Sequence, residues 1–403
     1  MKTFYIKLRV DGKAGSGTKT DPFNGEEGFF DEAIKKIKEL TYPTPDEPVV
    51  INISDGKYKT KGVAVGKNWT ILGVGINHTF LQLIDVGTTS FHHPNVNVIG
   101  SVYYGRGTDD PVWLDYLKVS GLTLDANWAQ QSARTLMGVK YGGIQANVTK
   151  CLIQRIRVIN WGSNGQDLEH AEAFPIFMST YGDENTQIII QDCIVEGQYS
   201  IRSGYCTAIM VQTYQNAGDR IPFGTRTSTA AIVRRNKVIG VYGSAIGCGH
   251  SDNVLYEKNQ AIGCLAGFNC DTGKNKNIKF VGNSFIRCND GISIGNNFSG
   301  PFENIEITDN NFQLTDPWLN KYTDTPTVWY CYGVRLGGQT KNTRIIANSF
   351  KSLNGLRKLT DKTYGVGAAY ESDTDWKQEN NIFTNIGDIV AVGAPLYDAW
   401  CNL

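Results

Sequence analysis

The sequence carries no excess of charge: Lys+Arg and Asp+Glu each number 39 in 403 residues, so the formal net charge is zero. A balanced surface sets up no whole-molecule field for a polyanion, and no basic–aromatic tract offers stacking for bases, so nucleic acid is not an expected partner. No apolar run approaches the ~20 residues of a membrane-spanning helix, and no membrane partner is expected. The opening residues place charges at Lys2, Lys7 and Arg9, too early for a signal-peptide core. The expected routes out of a cell are a leader already removed, or departure inside a virion or by lysis. An extracellular or virion-associated place is therefore expected, with the cytoplasm left open. The nine cysteines are an odd number without the Cys-x-x-Cys spacing of a metal site. No long amphipathic helix separates the apolar runs, which argues against a doubly wound α/β sheet, and no linker-like stretch divides the chain.

What is present is a recurring asparagine. It stands in Arg235-Asn236-Lys237-Val238, Lys258-Asn259-Gln260-Ala261 and Gly282-Asn283-Ser284-Phe285, then in Asp309-Asn310-Asn311-Phe312, Ala347-Asn348-Ser349-Phe350 and Asn380-Asn381-Ile382-Phe383. The steps are 23, 24, 27, 38 and 33 residues. A near-constant period with tolerated insertions marks a solenoid whose rungs stack while its loops lengthen. Stacked rungs bring equivalent side chains ~4.8 Å apart. An amide at that spacing both donates and accepts, and asparagine tolerates the left-handed conformation of a sharp corner. The repeated asparagines are therefore expected to be structural.

Within each repeat, two or three runs of period-two alternation are broken by Gly, Asn and Asp. One example is Asn277-Ile278-Lys279-Phe280-Val281, followed by Ser284-Phe285-Ile286 and Gly291-Ile292-Ser293-Ile294. Such runs predict short strands with one face in a core. Cys264 and Cys288 fall at matching places one coil apart, as do Cys248 and Cys270, which predicts rows of small buried hydrophobes, with disulfides the lesser alternative. Glu27 to Leu40 has Phe30, Ile34, Ile37 and Leu40 on one side and charges opposite, predicting one helix that caps the open N-terminal end of the solenoid.

From about Lys67 to Val392 this pattern resembles the right-handed parallel β-helix of the pectate lyase-like (pectin lyase-fold) superfamily. The phrase Val10-Asp11-Gly12-Lys13-Ala14-Gly15-Ser16-Gly17-Thr18 with Asp21-Pro22-Phe23 looks like its lead-in segment, and Asn68-Trp69-Thr70-Ile71-Leu72-Gly73-Val74-Gly75 like its first-coil phrase. The expected fold is an all-β, single-stranded right-handed parallel β-helix. Residues 1–66 form a lead-in and cap, residues 67–403 form the coils, and the whole makes one structural domain. The superfamily hosts lyases, hydrolases, epimerases and phage tailspikes, so the resemblance alone does not choose a chemistry.

The resemblance implies that the face of the third strand, with the loops beside it, is a carbohydrate groove. Taking Ile292 and Ile294 as inward makes Ser293 outward. The same register places Arg335, Asn269, Lys140 and Met210 outward, with Gln212 and Asp271 just past the inward pairs. His250 and Asp252 lie in the turn beyond, Glu172 and Asp290 in the turn before. Trp113 and Trp329 lie in or beside insertions, where an aromatic ring is either a platform for a sugar face or loop packing. The corner from Trp161 to Glu172 holds Glu169, His170 and Glu172, read first as a solvated turn and second as acid–base residues.

Two reactions fit such residues. Inverting hydrolysis needs two carboxyl groups ~6.5–9.5 Å apart, and Asp271 and Asp290 are 19 residues apart, slightly less than one coil. Asn269-Cys270-Asp271 looks like the Asn-x-Asp of polygalacturonase-type hydrolases, but the paired aspartate, the later Gly-His-Gly and the Arg-x-Lys of that family are missing. β-Elimination on a uronate needs a base at C5 and a cation or metal on the carboxylate, with calcium as the expected cofactor if the protein is a lyase. No other cofactor is expected. Arg220-Ile221-Pro222-Phe223-Gly224-Thr225-Arg226 is only an imperfect match to the lyase phrase Arg-x-Pro-x-x-Arg. The expected function is cleavage of an acidic polysaccharide, with Asp271 and Asp290 as acid and base, Glu172 and His250 as further catalytic candidates, and Arg335 binding a carboxylate. The alternative is a non-catalytic glycan-binding, adhesin or tailspike-like body. A monomer is expected for the former and a trimer for a tailspike.

Overall fold

The structure, a computed structural model, describes the chain except for residues 42–46, 87–94, 101–113, 136–139, 164–172, 181–182, 198–205, 214–220, 295–301, 316–329, 338–339, 354–361, 369–373, 387 and 393–403. Apart from the helix Phe29–Thr41 and two short 3-10 turns, every regular element among the described residues is a strand. The chain divides into two compact units, Met1–Thr180 with Asn185–Tyr205, and Tyr181–Glu184 with Cys206–Leu403. The expected division at residue 66 lies inside the first of these. Each unit is a coil of parallel strands of the β-helix kind. No helix among the described residues is long and apolar enough to cross a membrane.

The first unit stacks aliphatic side chains. Strands Val49–Ile53, Trp69–Gly73, Leu114–Asp125 and Lys140–Ile159 pair in parallel and align Ile51, Ile71, Val119 and Ile153, and Gln187–Gln191 adds Ile190 to the row. All five are buried. Alternation alone produces this row, because every second side chain of a strand points to the same face. The lead-in segment is held by Arg9, whose guanidinium donates to Asp11 at 2.9 and 2.6 Å and to Asp21 at 2.5 Å. These bonds raise the Arg9 pKa and lower those of Asp11 and Asp21. Gly17 has φ +82°, and a Cβ there would meet the Phe23 ring at 2.3 Å, so the turn requires glycine.

The helix begins two residues later than expected and buries Phe30, Ala33, Ile34 and Ile37 against strands Lys2–Lys7, Phe23–Asn24 and Gly56–Thr60. Asp31 ties it down by accepting from Thr60 Oγ1 at 2.6 Å and Lys61 N at 3.0 Å. Leu40, expected on the buried face, is exposed.

In the second unit each coil has three strands, as in Ala266–Val281 leading to Ser284–Cys288 and Asp290–Ile294. The recurring asparagines form one ladder between the first and second strands. Nδ2 of Asn236, Asn259, Asn283, Asn310 and Asn348 donates to Oδ1 of the next asparagine at 3.0 Å in every case. The same Oδ1 atoms accept from the backbone N–H of the preceding rung's asparagine at 2.8–3.1 Å. The ladder is the row expected, but its asparagines do not supply the left-handed residue. The residue before each does: Arg235, Lys258, Gly282, Asp309, Ala347 and Asn380 have φ from +52° to +65°. The left-handed residue turns the chain, and the asparagine that follows points inward and caps the freed donors.

Beyond the ladder, Phe285, Phe312, Phe350 and Phe383 stack with ring centroids 5.1, 4.6 and 5.0 Å apart. The cysteines lie in rows as expected: Cys264 and Cys288 are buried, and Cys248 Sγ stands 2.8 Å from Cys270 Sγ. The eight described cysteines are free thiols. In the first unit, burial pushes the Cys151 and Cys193 thiols up to about 12.

Candidate functional site

The third strands of the second unit align as the sequence register predicts. Met210 pairs with Gly247, Gly247 with Asn269, Asn269 with Ser293, Ser293 with Arg335, and Arg335 with Gly367. Outward is not the same as open here. Asn269 is half-buried, whereas Ser293 and Arg335 are only 2% and 5% exposed.

A glycine corner brings Asp290 to the same face. A Cβ on Gly291 would lie 2.2 Å from Phe312 Cδ1 and 2.4 Å from the Gly333 carbonyl, so position 291 points into the core and Asp290 points away from it. Gly267 and Gly333 stand at the matching corners of neighbouring rungs, against Phe285 and Phe350. These glycines let the phenylalanine stack press against the start of each third strand.

Asp290 is 3% exposed. Its Oδ1 accepts from Asn289 Nδ2 at 3.0 Å and from Tyr332 N at 3.3 Å. Its Oδ2 lies 3.8 Å from Arg335 Nη1, within ion-pair range but too far for a hydrogen bond. Arg335 Nε has no hydrogen-bond partner among the described residues. A buried guanidinium left short of acceptors is costly, and an arriving oxyanion would relieve that cost. Cys331 Sγ completes the cluster by donating to Asn289 Oδ1 at 3.3 Å. Asn289 adjoins the predicted Asp290 and was within reach of sequence reasoning. Cys331 carried no signal.

The structure gathers Asp290, Ser293 and Arg335, with Asn269 one rung from Ser293, and sets His250 and Gln212 on other rungs. Asp271 is on the rung next to Asp290, as expected, but the register pairs Asp290 with Ala266. Asp271 is thus five residues further along, a backbone offset of ~16 Å at the strand rise. Its side chain lies outside the described residues, as do Glu172, Trp113 and Trp329. His250 adopts φ +46°, and its ring covers Gly273, where a Cβ would fall 2.1 Å from Nδ1. Three rungs, or ~14 Å, separate its coil from that of Arg335. Gln212 is half-buried, and its strand is four rungs, or ~19 Å, away. Lys140 belongs to the first unit, at a position paired with Asn95 and Ser163.

Asp252, expected to meet substrate, is fully buried and has a structural task. Its Oδ1 accepts from Asn277 Nδ2 at 2.9 Å and its Oδ2 from Gly224 N at 2.8 Å, pinning the segment around Gly224 to the coil. Burial raises its pKa. Among the described residues no three His, Cys, Asp or Glu side chains converge to hold a metal ion.

No protein-family model matches the sequence, and no curated protein matches it. Solved structures do share its fold. One is the A-module of mannuronan C-5 epimerase AlgE6 of Azotobacter vinelandii, with TM-score 0.57 and 12% identity over 92% of this chain and 93% of that one. Another is PfbA, a surface adhesin of Streptococcus pneumoniae, with TM-score 0.54 and 13% identity over 95% and 93%. A third is an N-terminal fragment of gene product 12 of bacteriophage Phi29, with TM-score 0.53 and 12% identity over 90% and 62%. At these identities the likeness is one of fold alone, and the fold that the strand pairing shows here is the parallel β-helix.

Proposed function

We propose that this protein acts on an acidic polysaccharide, and that the Asp290–Arg335 face removes the C5 proton of a uronate. The observation that carries the reading is the buried Arg335, with its Nε unsatisfied among the described residues and its Nη1 only 3.8 Å from the Asp290 carboxylate. Arginine is suited to clasp a carboxylate with two parallel N–H bonds. Once clasped, the substrate carboxylate accepts the charge that develops as the C5 proton leaves. Asp290 takes that proton. The electron pair then forms the C4–C5 double bond and expels the glycosidic oxygen, which takes a proton from water and leaves as a hydroxyl. Hydrolysis is the weaker reading, because the backbone register offsets Asp271 from Asp290 by five positions and favours no close carboxyl pair. The broader likeness to epimerase, adhesin and phage folds accords with a polysaccharide partner and with an extracellular or virion-associated place. Within this reading the coil is the right-handed, pectate lyase-like form, and helix Phe29–Thr41 is its N-terminal cap.

The test is a panel of acidic and neutral polysaccharides, with and without calcium, read for new reducing ends and for absorbance near ~235 nm from the unsaturated product. The reading expects both signals on a polyuronate, with Arg335→Ala and Asp290→Asn losing at least ~100-fold. Reducing ends without absorbance would instead mean hydrolysis. A second reading rests on the low exposure of Arg335 and Asp290: a glycan-binding body without turnover. It expects polyuronate binding without product, and a trimer by sedimentation if the body is tailspike-like.

A further inference from the structure

The second-strand face of the same unit carries a cleft that the Asp290–Arg335 reading does not use. Its volume is about 510 Å³, and its described lining is Arg287, Thr315, Lys351, Ser352, Leu353 and Asn385. That volume is in the ~300–1,000 Å³ range of small-molecule sites. Two cations and three further polar side chains line it, and no carboxylate is among the described lining residues.

Two lysines elsewhere on this unit are neutralised by the adjoining rung. Lys276 Nζ meets Glu303 at 3.1 Å and Lys279 Nζ meets Glu306 at 3.5 Å, each on the adjoining rung. Arg287 and Lys351 have no such pair among the described residues, as is also true of Lys237, Lys341, Arg344 and Lys377, but Arg287 and Lys351 share one cleft. Both are exposed, and neither has an ion pair or hydrogen bond among the described residues.

The backbone at Arg287 is also unusual. On the two preceding rungs the residue after the aligned isoleucine is Gly240 or Gly263, with φ +66° and +64°. On the next rung that left-handed position holds Arg287, φ +54°. The pairing shifts register there: Ile286 aligns with Gln313 but Cys288 with Leu314, leaving Arg287 as the extra residue of a bulge. A bulge re-aims its side chain, and a non-glycine residue in this conformation is strained. The aligned strands place Lys351 opposite Gln313, two rungs (~10 Å) from the strand that carries the bulge.

We propose that this cleft binds an oxyanion-bearing sugar, with Arg287 and Lys351 on the carboxylate or sulfate and the Thr315 hydroxyl on the ring oxygens. The site is separate from Arg335, so it stands or falls independently of the reaction proposed above.

Calorimetric titration of the full chain tests it with a short oligouronate, a sulfated oligosaccharide, a neutral oligosaccharide of the same length, and inorganic sulfate. Arg287→Gly is the informative variant. Glycine already serves the same corner on two neighbouring rungs, so its Tm should stay the same or rise. The expected result is binding of an acidic oligosaccharide that Arg287→Gly and Lys351→Ala each weaken at least tenfold, while Arg335→Ala leaves this binding event in place. Preference between the oligouronate and the sulfated sugar then identifies the oxyanion. Equal binding of the neutral oligosaccharide, binding of inorganic sulfate alone, or unchanged affinity in both cleft variants would overturn the proposal.

Discussion

The two units turn the same corner with different fillings. In the first, Gly121, Arg155 and Asp192 take the left-handed conformation, at φ +73°, +49° and +56°, and the inward residues that follow are Leu122, Ile156 and Cys193. In the second, the left-handed residue is followed by asparagine on six successive rungs, from Asn236 to Asn381. The turn therefore depends on backbone conformation and not on the amide. What the amide adds is satisfaction of buried donors: from Asn259 onward each Oδ1 serves both a backbone N–H and a neighbouring Nδ2, and each Nδ2 also reaches a carbonyl such as Tyr256 O at 2.9 Å. An aliphatic corner asks only for packing, whereas a ladder requires every member to find its partner.

Exchanging the fillings should break each unit in its own way. The largest effect is expected for Ile156→Asn, which removes a buried aliphatic side chain and leaves a lone amide without a ladder. A loss of ~4 kcal/mol by urea denaturation is expected. Asn283→Leu should cost ~3 kcal/mol, because the N–H and Nδ2 of Asn259 both lose their acceptor. Hydrogen exchange should localise that loss to strands Gln260–Ile262 and Ser284–Cys288. A neutral outcome would mean that the ladder is dispensable. Gly291→Ala drives a methyl group into Phe312 and the Gly333 carbonyl and should cost ~2 kcal/mol, read as a lowered urea midpoint. The smallest effect has the opposite sign. Ala347 holds φ +54°, so Ala347→Gly should stabilise by ~0.5 kcal/mol, seen as a raised midpoint with an unchanged m-value.

The ladder was legible in the sequence because period and chemistry coincide: the hydrogen bonds join residues separated by the same 23, 24, 27, 38 and 33 positions as the repeat. The left-handed residue was misplaced by one, because asparagine suits both the turn and the inward position and a single sequence does not say which task it performs. The outward row through Asn269, Ser293 and Arg335 was also legible, since period-two alternation fixes which side chains share a face. Its burial was not, because alternation describes one strand and says nothing of what lies over it. The Asp271–Asp290 pair illustrates a related limit. A spacing of 19 residues suggested neighbouring rungs, but position along a rung depends on where the corner falls, and Gly291 sets that corner by its contact with Phe312.

The central claim is proton removal from C5 by the Asp290–Arg335 face. Its most direct test is solution NMR of a polyuronate incubated with the protein in D2O, following the C5 proton of each residue. The account predicts loss of that signal with the unaltered protein, and its retention with both Asp290→Asn and Arg335→Ala at unchanged thermal stability. A polymer that shortens while every C5 proton is retained would contradict it, and would move the chemistry to hydrolysis.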